Sequence, residues 1–177
     1  MREHQICRVV LAIAALVFCS NQGRADEFAA KLSGFNELGA QNNETGAILT
    51  DGTGKVSLRV GGSSAQYRLT YSGLGSAVQQ AHIHFGKVHS TGGVMVFFCT
   101  NLGNGPVGTP ACPTTSGTVS GTWTAASVVA ISKQNVKAGD FQELLDALNS
   151  DTTYANVHTA NFPAGEIRGQ VQHGEEE

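Results

Sequence analysis

The sequence has 177 residues, 14% of them charged, with 11 Lys+Arg against 14 Asp+Glu and a net charge of −3. No basic patch is visible in that balance, so nucleic acid is not an expected partner, and the length suits one domain with its own core. The 22 glycines, set among few charges, predict short strands joined by tight turns.

Taken in order, the chain begins with an export signal. Arg2 and Arg8 precede an apolar run from Val9 to Cys19 that is too short to span a bilayer, and Gly23-Arg24-Ala25 offers small residues for cleavage after Ala25. Residues 1–25 are therefore read as a signal peptide, 26–174 as the domain and 175–177 as an acidic tail. The expected location is secreted or periplasmic. Removing Glu3, Arg2, Arg8 and Arg24 with the leader would leave 8 basic and 13 acidic residues, a net charge of −5. No later segment is apolar enough to be a transmembrane span. Cys7 and Cys19 would leave with the leader, so Cys99 and Cys112 remain as an even pair, expected to form a disulfide in an oxidising compartment.

Glu27 to Gly34 alternates as a first strand, and Asn36 to Glu44 reads as a polar loop. Asp51-Gly52-Thr53-Gly54 between Ala47–Thr50 and Lys55–Val60 predicts a hairpin. Gly61-Gly62-Ser63-Ser64 makes a second turn before Gln66–Ser72, which places Tyr67, Leu69 and Tyr71 on one face. Strands follow at Val78–Phe85 and at Val94–Cys99, then at Gly117–Thr124 with Trp123 as a core residue. Thr124 is placed to cap a short helix at Ala125-Ala126-Ser127. Asp140-Phe141-Gln142-Glu143 has the form of a capping box, with Phe141, Leu144, Leu145 and Leu148 as the apolar stripe of a helix. Tyr154–Thr159 and Glu166–Val171 are the last strands, joined by an Asn-Phe-Pro-Ala-Gly turn. The pattern predicts an all-β fold, an antiparallel Greek-key-like β-sandwich with one or two short helices.

In the last two strands Tyr154, Asn156 and His158 share one face, and Glu166, Arg168 and Gln170 share another. His82 and His84, two apart on a strand, also emerge on one face, roughly 7 Å apart at the strand rise. Two readings stay open. The three imidazoles of His82, His84 and His158 could converge on one copper or zinc ion, with Glu166 as a fourth ligand or as a carboxylate orienting an imidazole. Alternatively the histidines join Asn156, Glu166 and Arg168 in a hydrogen-bond network that fixes the strands, with Arg168 paired to a carboxylate. No catalytic serine, paired-carboxylate or phosphate-loop pattern survives inspection, so no enzyme is expected.

Two motifs carry a resemblance. Ala81-His82-Ile83-His84-Phe85-Gly86, followed by Tyr154-Ala155-Asn156-Val157-His158-Thr159 and Gly165-Glu166-Ile167-Arg168-Gly169-Gln170, resembles the signatures of the CHRD domain, the module named after chordin. The similarity runs from about Glu27 to Gln172. It implies a stand-alone secreted module of bacterial type. In animal chordin such domains belong to a secreted antagonist of growth factors, and the resemblance implies a fold and a compartment more readily than an activity. The expected function is a non-catalytic binding or structural module with a protein partner, and the alternative is an extracytoplasmic copper- or zinc-binding protein. His-x-His on a sandwich also resembles, locally, copper–zinc superoxide dismutase. The paired site of that enzyme needs more histidines than the five after residue 25, which leaves at most a single copper site and a weak oxidoreductase activity as a distant third reading.

Overall fold

The computed structural model describes residues 25–38 and 46–174. The leader through Arg24, most of the polar loop after Asn36 and the acidic tail lie outside the described residues. Eight strands are present: β1 (Asp26–Ser33), β2 (Thr53–Gly61), β3 (Ser64–Ser72), β4 (Val78–Phe85), β5 (Val94–Thr100), β6 (Gly117–Trp123), β7 (Thr153–Thr159) and β8 (Ile167–His173). One α-helix, α1 (Phe141–Asn149), lies between β6 and β7.

All eight strands belong to one antiparallel sheet in the order β5-β4-β7-β8-β1-β2-β3-β6. The sheet curls until its ends face each other. Trp123 Nε1 on β6 donates to the Phe97 carbonyl on β5 at 2.7 Å, and the Tyr67 hydroxyl donates to Phe98 O at 3.0 Å. The result is a nearly closed, sandwich-like barrel whose edges meet through side chains. The inner face holds the core, including Leu32, Val56, Leu69, Ile83, Phe98, Trp123, Val157 and Ile167. Helix α1 adds Phe141, Leu144, Ala147 and Leu148 to it, with Leu145 partly buried. Asp140 caps this helix by accepting from Glu143 N. The Glu143 carboxylate accepts from Lys137 N, so the return half of the expected capping box is made to a different backbone amide.

The Asp51-Gly52 hairpin does not form. Strand β2 starts at Thr53, and residues 47–50 are not a strand. Thr50 Oγ1 accepts from Gly52 N at 3.0 Å and donates to the buried Glu166 carboxylate at 2.6 Å, so this stretch is tied by side-chain bonds to another element and takes no ladder partner. The tight hairpin is the next one, where Gly61 pairs with Ser64 around Gly62-Ser63. Cys99 and Cys112 form a disulfide.

The outer face carries a second correction. Basic residues dispersed in the sequence gather there, with Lys31 on β1, Lys55 and Arg59 on β2, Arg68 on β3 and Arg168 on β8, so a basic patch does exist. Further along, the outer face is covered. Every residue of β7 is buried: Ala155 and Val157 lie in the core, and the outward residues are covered by the 86–93 connection, the segment after β1 and the 160–165 turn. Among the described residues no helix is long and apolar enough to cross a membrane.

Candidate metal centre

Strands β4 and β7 pair so that His82 stands opposite Asn156, His84 opposite Tyr154 and Gln80 opposite His158. His158 is therefore the diagonal neighbour of His82, within reach across the ladder. On the other side of β4, the pairing with β5 shifts register twice, between Ala81 and His82 and between Ile83 and His84. Such irregularities re-aim side chains. Here they set Phe97 opposite His82, its ring edge-on to the imidazole at 4.4 Å between centroids.

The three imidazoles converge as expected. Their centroids lie 5.4 Å (His82–His84), 5.0 Å (His82–His158) and 5.8 Å (His84–His158) apart. One ligand nitrogen from each lies within 4.8 Å of the others. Three nitrogens bound tetrahedrally at about 2.0–2.1 Å sit roughly 3.4 Å apart, so small side-chain rotations close the set. His84 Nδ1 lies 2.9 Å from the Gly92 carbonyl and His158 Nδ1 lies 3.1 Å from the Pro163 carbonyl. A carbonyl only accepts, so each Nδ1 carries the proton and each Nε2 is left with its lone pair. Those Nε2 atoms, and both ring nitrogens of His82, are buried without a hydrogen-bond partner among the described residues.

Burial pushes all three histidines far below their ordinary value. His82 falls to about 2, further lowered by its two histidine neighbours, and His84 and His158 fall to about 4 against the opposing pull of their carbonyl bonds. The cluster is neutral at physiological pH, the form that ligates metal.

Glu166 takes no part in it. Its carboxylate is fully buried on the other side of the sheet, accepting from Thr50 Oγ1 (2.6 Å), Thr159 Oγ1 (2.7 Å) and Gly75 N (2.8 Å). The alternation that put Glu166 with Arg168 holds only inside a strand. Glu166 precedes β8, and Gly165 before it has φ +136°, which turns the side chain toward Thr159. A Cβ at Gly165 would also lie 2.5 Å from Asn156 Nδ2 and 2.6 Å from Glu37 Oε1. The Glu166 roles of fourth ligand and imidazole orienter are thereby overturned, as is any pairing with Arg168.

Arg168 and Asn156 do build a network, beside the trio and around a residue the sequence did not single out. Glu37, buried, accepts a short hydrogen bond from Asn156 Nδ2, which also donates to Ile167 O at 3.1 Å. Burial raises Glu37 to about 7, although Arg168 and the Asn156 bond both pull it down. A lone acid in a polar loop carries no periodic signal, so nothing in the sequence marks it. Arg168 Nη2 donates to Ser90 O at 2.7 Å, and its guanidinium lies 3.4 Å above the Tyr154 ring centroid. Tyr154 stacks in turn on His84, centroids 4.7 Å apart and planes 2° from parallel. Its hydroxyl accepts from Gly92 N at 3.2 Å. The 86–93 connection is thus pinned by Arg168, Tyr154 and His84 together, and it supplies the carbonyl that fixes the His84 tautomer.

His89 and His173 lie outside this cluster, and the His173 ring tilts against Phe28 instead, centroids 4.4 Å apart. The trio is the one metal-competent group of three or more His, Cys, Asp or Glu among the described residues. The family model for the CHRD domain matches residues 28–171. The chain belongs to the CHRD domain family. Both the histidine trio and the Asn156–Arg168 network of this CHRD domain fall inside the matched span. No curated protein and no solved structure matches the chain.

Proposed function

We propose that this CHRD domain is a non-catalytic, extracytoplasmic metal-binding module that holds one copper or zinc ion on His82, His84 and His158. The supporting observation is the set of buried imidazole nitrogens without partners. A buried polar atom left unpaired costs about 1–3 kcal/mol, and a sheet-fixing network would consume those atoms. The network next to it does so: Asn156, Arg168 and Tyr154 all have partners, whereas the trio offers lone pairs. All-imidazole donation suits copper or zinc over calcium or magnesium, which take oxygen. Binding is favoured over catalysis because the rings packed on the trio are those of Phe97 and Tyr154, while Glu37, the neighbouring acid raised to about 7, is engaged by Asn156 and, among the described residues, makes no hydrogen bond to an imidazole.

The test is calorimetric titration of the protein with Cu²⁺ and with Zn²⁺. One-to-one binding is expected, weakened by at least ~100-fold in His158→Ala and abolished in His82→Ala/His84→Ala. A native protein that binds neither ion, or a folded double variant that binds as tightly as the native chain, contradicts the reading.

A further inference from the structure

The outer face of the sheet carries a second site, separate from the trio. Lys31 and Lys55 stand directly opposite each other in the β1–β2 ladder. Like charges so placed repel. No carboxylate relieves them: among the described residues neither ammonium group makes an ion pair. Both are exposed and line a cleft of about 680 Å³ with Arg168, His89, Gln170 and Gln172, and none of the lining residues is acidic. Arg168 is nearly buried, and among the described residues its hydrogen bonds all run from Nη2. Its remaining donors are free to serve the cleft. Beyond Lys55 on the same face, Arg59 and Arg68 border a shallower depression with Gln66 and Ser57, where Glu27 is the single acid. Five of the eight Lys and Arg residues after residue 25 therefore lie on one face of a chain whose net charge is negative.

We propose that this cleft binds a short acidic oligosaccharide, a chain of uronate type whose carboxylates are met by Lys31, Lys55 and Arg168. The cations lie on three neighbouring strands roughly 4.8 Å apart, a spread that matches an extended chain better than one compact anion. The volume accommodates a few sugar units. Gln172 also lines the cleft, and its side-chain amide, which makes no hydrogen bond among the described residues, offers the donor and acceptor pair that hydroxyls require. Single-stranded nucleic acid is the weaker match, because bases need aromatic platforms. No Phe, Tyr or Trp lines the cleft.

The experiment is calorimetric titration of the protein with tri-galacturonic acid, its full methyl ester and an oligothymidylate, in low and high salt. Saturable binding of the acid is expected, lost with the ester and weakened by salt. Lys31→Gln/Lys55→Gln, which changes two exposed side chains, should reduce it by roughly tenfold or more. Binding should persist in EDTA, since the cleft needs no metal. No binding of the acid, equal binding by the double variant, equal binding of the ester, tighter binding of the oligonucleotide, or loss in EDTA would each overturn the proposal.

Discussion

Glu166 and His158 face the same choice between solvent, network and ligand, and they resolve it differently. Glu166 is surrounded by three donors, two hydroxyls and one amide, so its carboxylate is satisfied where it lies. Glu166→Gln replaces an oxygen with an amide group that must face at least one of those donors. The expected cost is about 1–3 kcal/mol of stability, read from the urea midpoint, with metal stoichiometry unchanged. A fall in stoichiometry would return Glu166 to the metal centre. His158 has one nitrogen satisfied by a carbonyl and the other bare, and a metal ligand oriented by its second nitrogen has this pattern.

At the scale of elements, the 86–93 connection holds the site together. It is irregular backbone, yet it is fastened by side chains from β4, β7 and β8: His84 to Gly92 O, Tyr154 to Gly92 N, and Arg168 to Ser90 O. Arg168→Lys keeps the charge but loses the planar group that stacks on Tyr154 while donating to the connection. Hydrogen exchange should accelerate across residues 87–93, first at the Gly92 amide, while amides in β2 and β3 keep their protection. Unchanged exchange at Gly92 would show that Arg168 does not anchor the connection.

The elements also show what the sequence could reveal. Strands β3, β4, β5 and β6 are legible because alternating or continuous apolar residues meet a buried face, and α1 because its stripe has helical spacing. The convergence of His82, His84 and His158 follows from two-residue periodicity once β4 and β7 are neighbours. The rest depends on tertiary packing. Asp51-Gly52 carries a hairpin signal, but Thr50 is claimed by Glu166, 116 residues away. Glu37 acquires its role from Asn156, 119 residues away, and the basic cleft forms only when β8 lies beside β1 and β2.

For the whole molecule, the buried histidines and Glu37 act on stability in opposite directions with pH. The folded protein keeps all three histidines neutral down to about 4 or below, whereas the unfolded chain protonates them near 6.5. The unfolded state binds more protons there, so the histidine contribution is lost as pH falls below 6.5. Glu37, raised from 4.5 to about 7, holds a proton when folded that the unfolded chain releases, so its contribution is lost as pH rises from 4.5 to about 7. At pH 7 the three unfolded-state histidines still hold about 0.7 proton between them against about 0.5 on folded Glu37, so the histidine effect prevails up to neutrality and the two nearly cancel above it. For the EDTA-treated protein the urea midpoint should rise from pH 4.5 to about 7 and then level off. In Glu37→Gln the rise between about pH 5 and 7 should steepen, because the opposing proton on Glu37 is gone. A midpoint that falls steadily from pH 4.5 to 6.5 would show that the trio is not buried in neutral form.

The most direct measurement is a long-range ¹⁵N–¹H spectrum of the imidazole side chains, recorded as Zn²⁺ is added to the apo-protein. His84 and His158 should keep their Nδ1 protons while Nε2 of both, and one nitrogen of His82, shift together and saturate at one equivalent, with His89 and His173 unmoved. Shifts confined to His89 and His173, or loss of the Nδ1 protons of His84 and His158, would contradict a metal centre built on this trio.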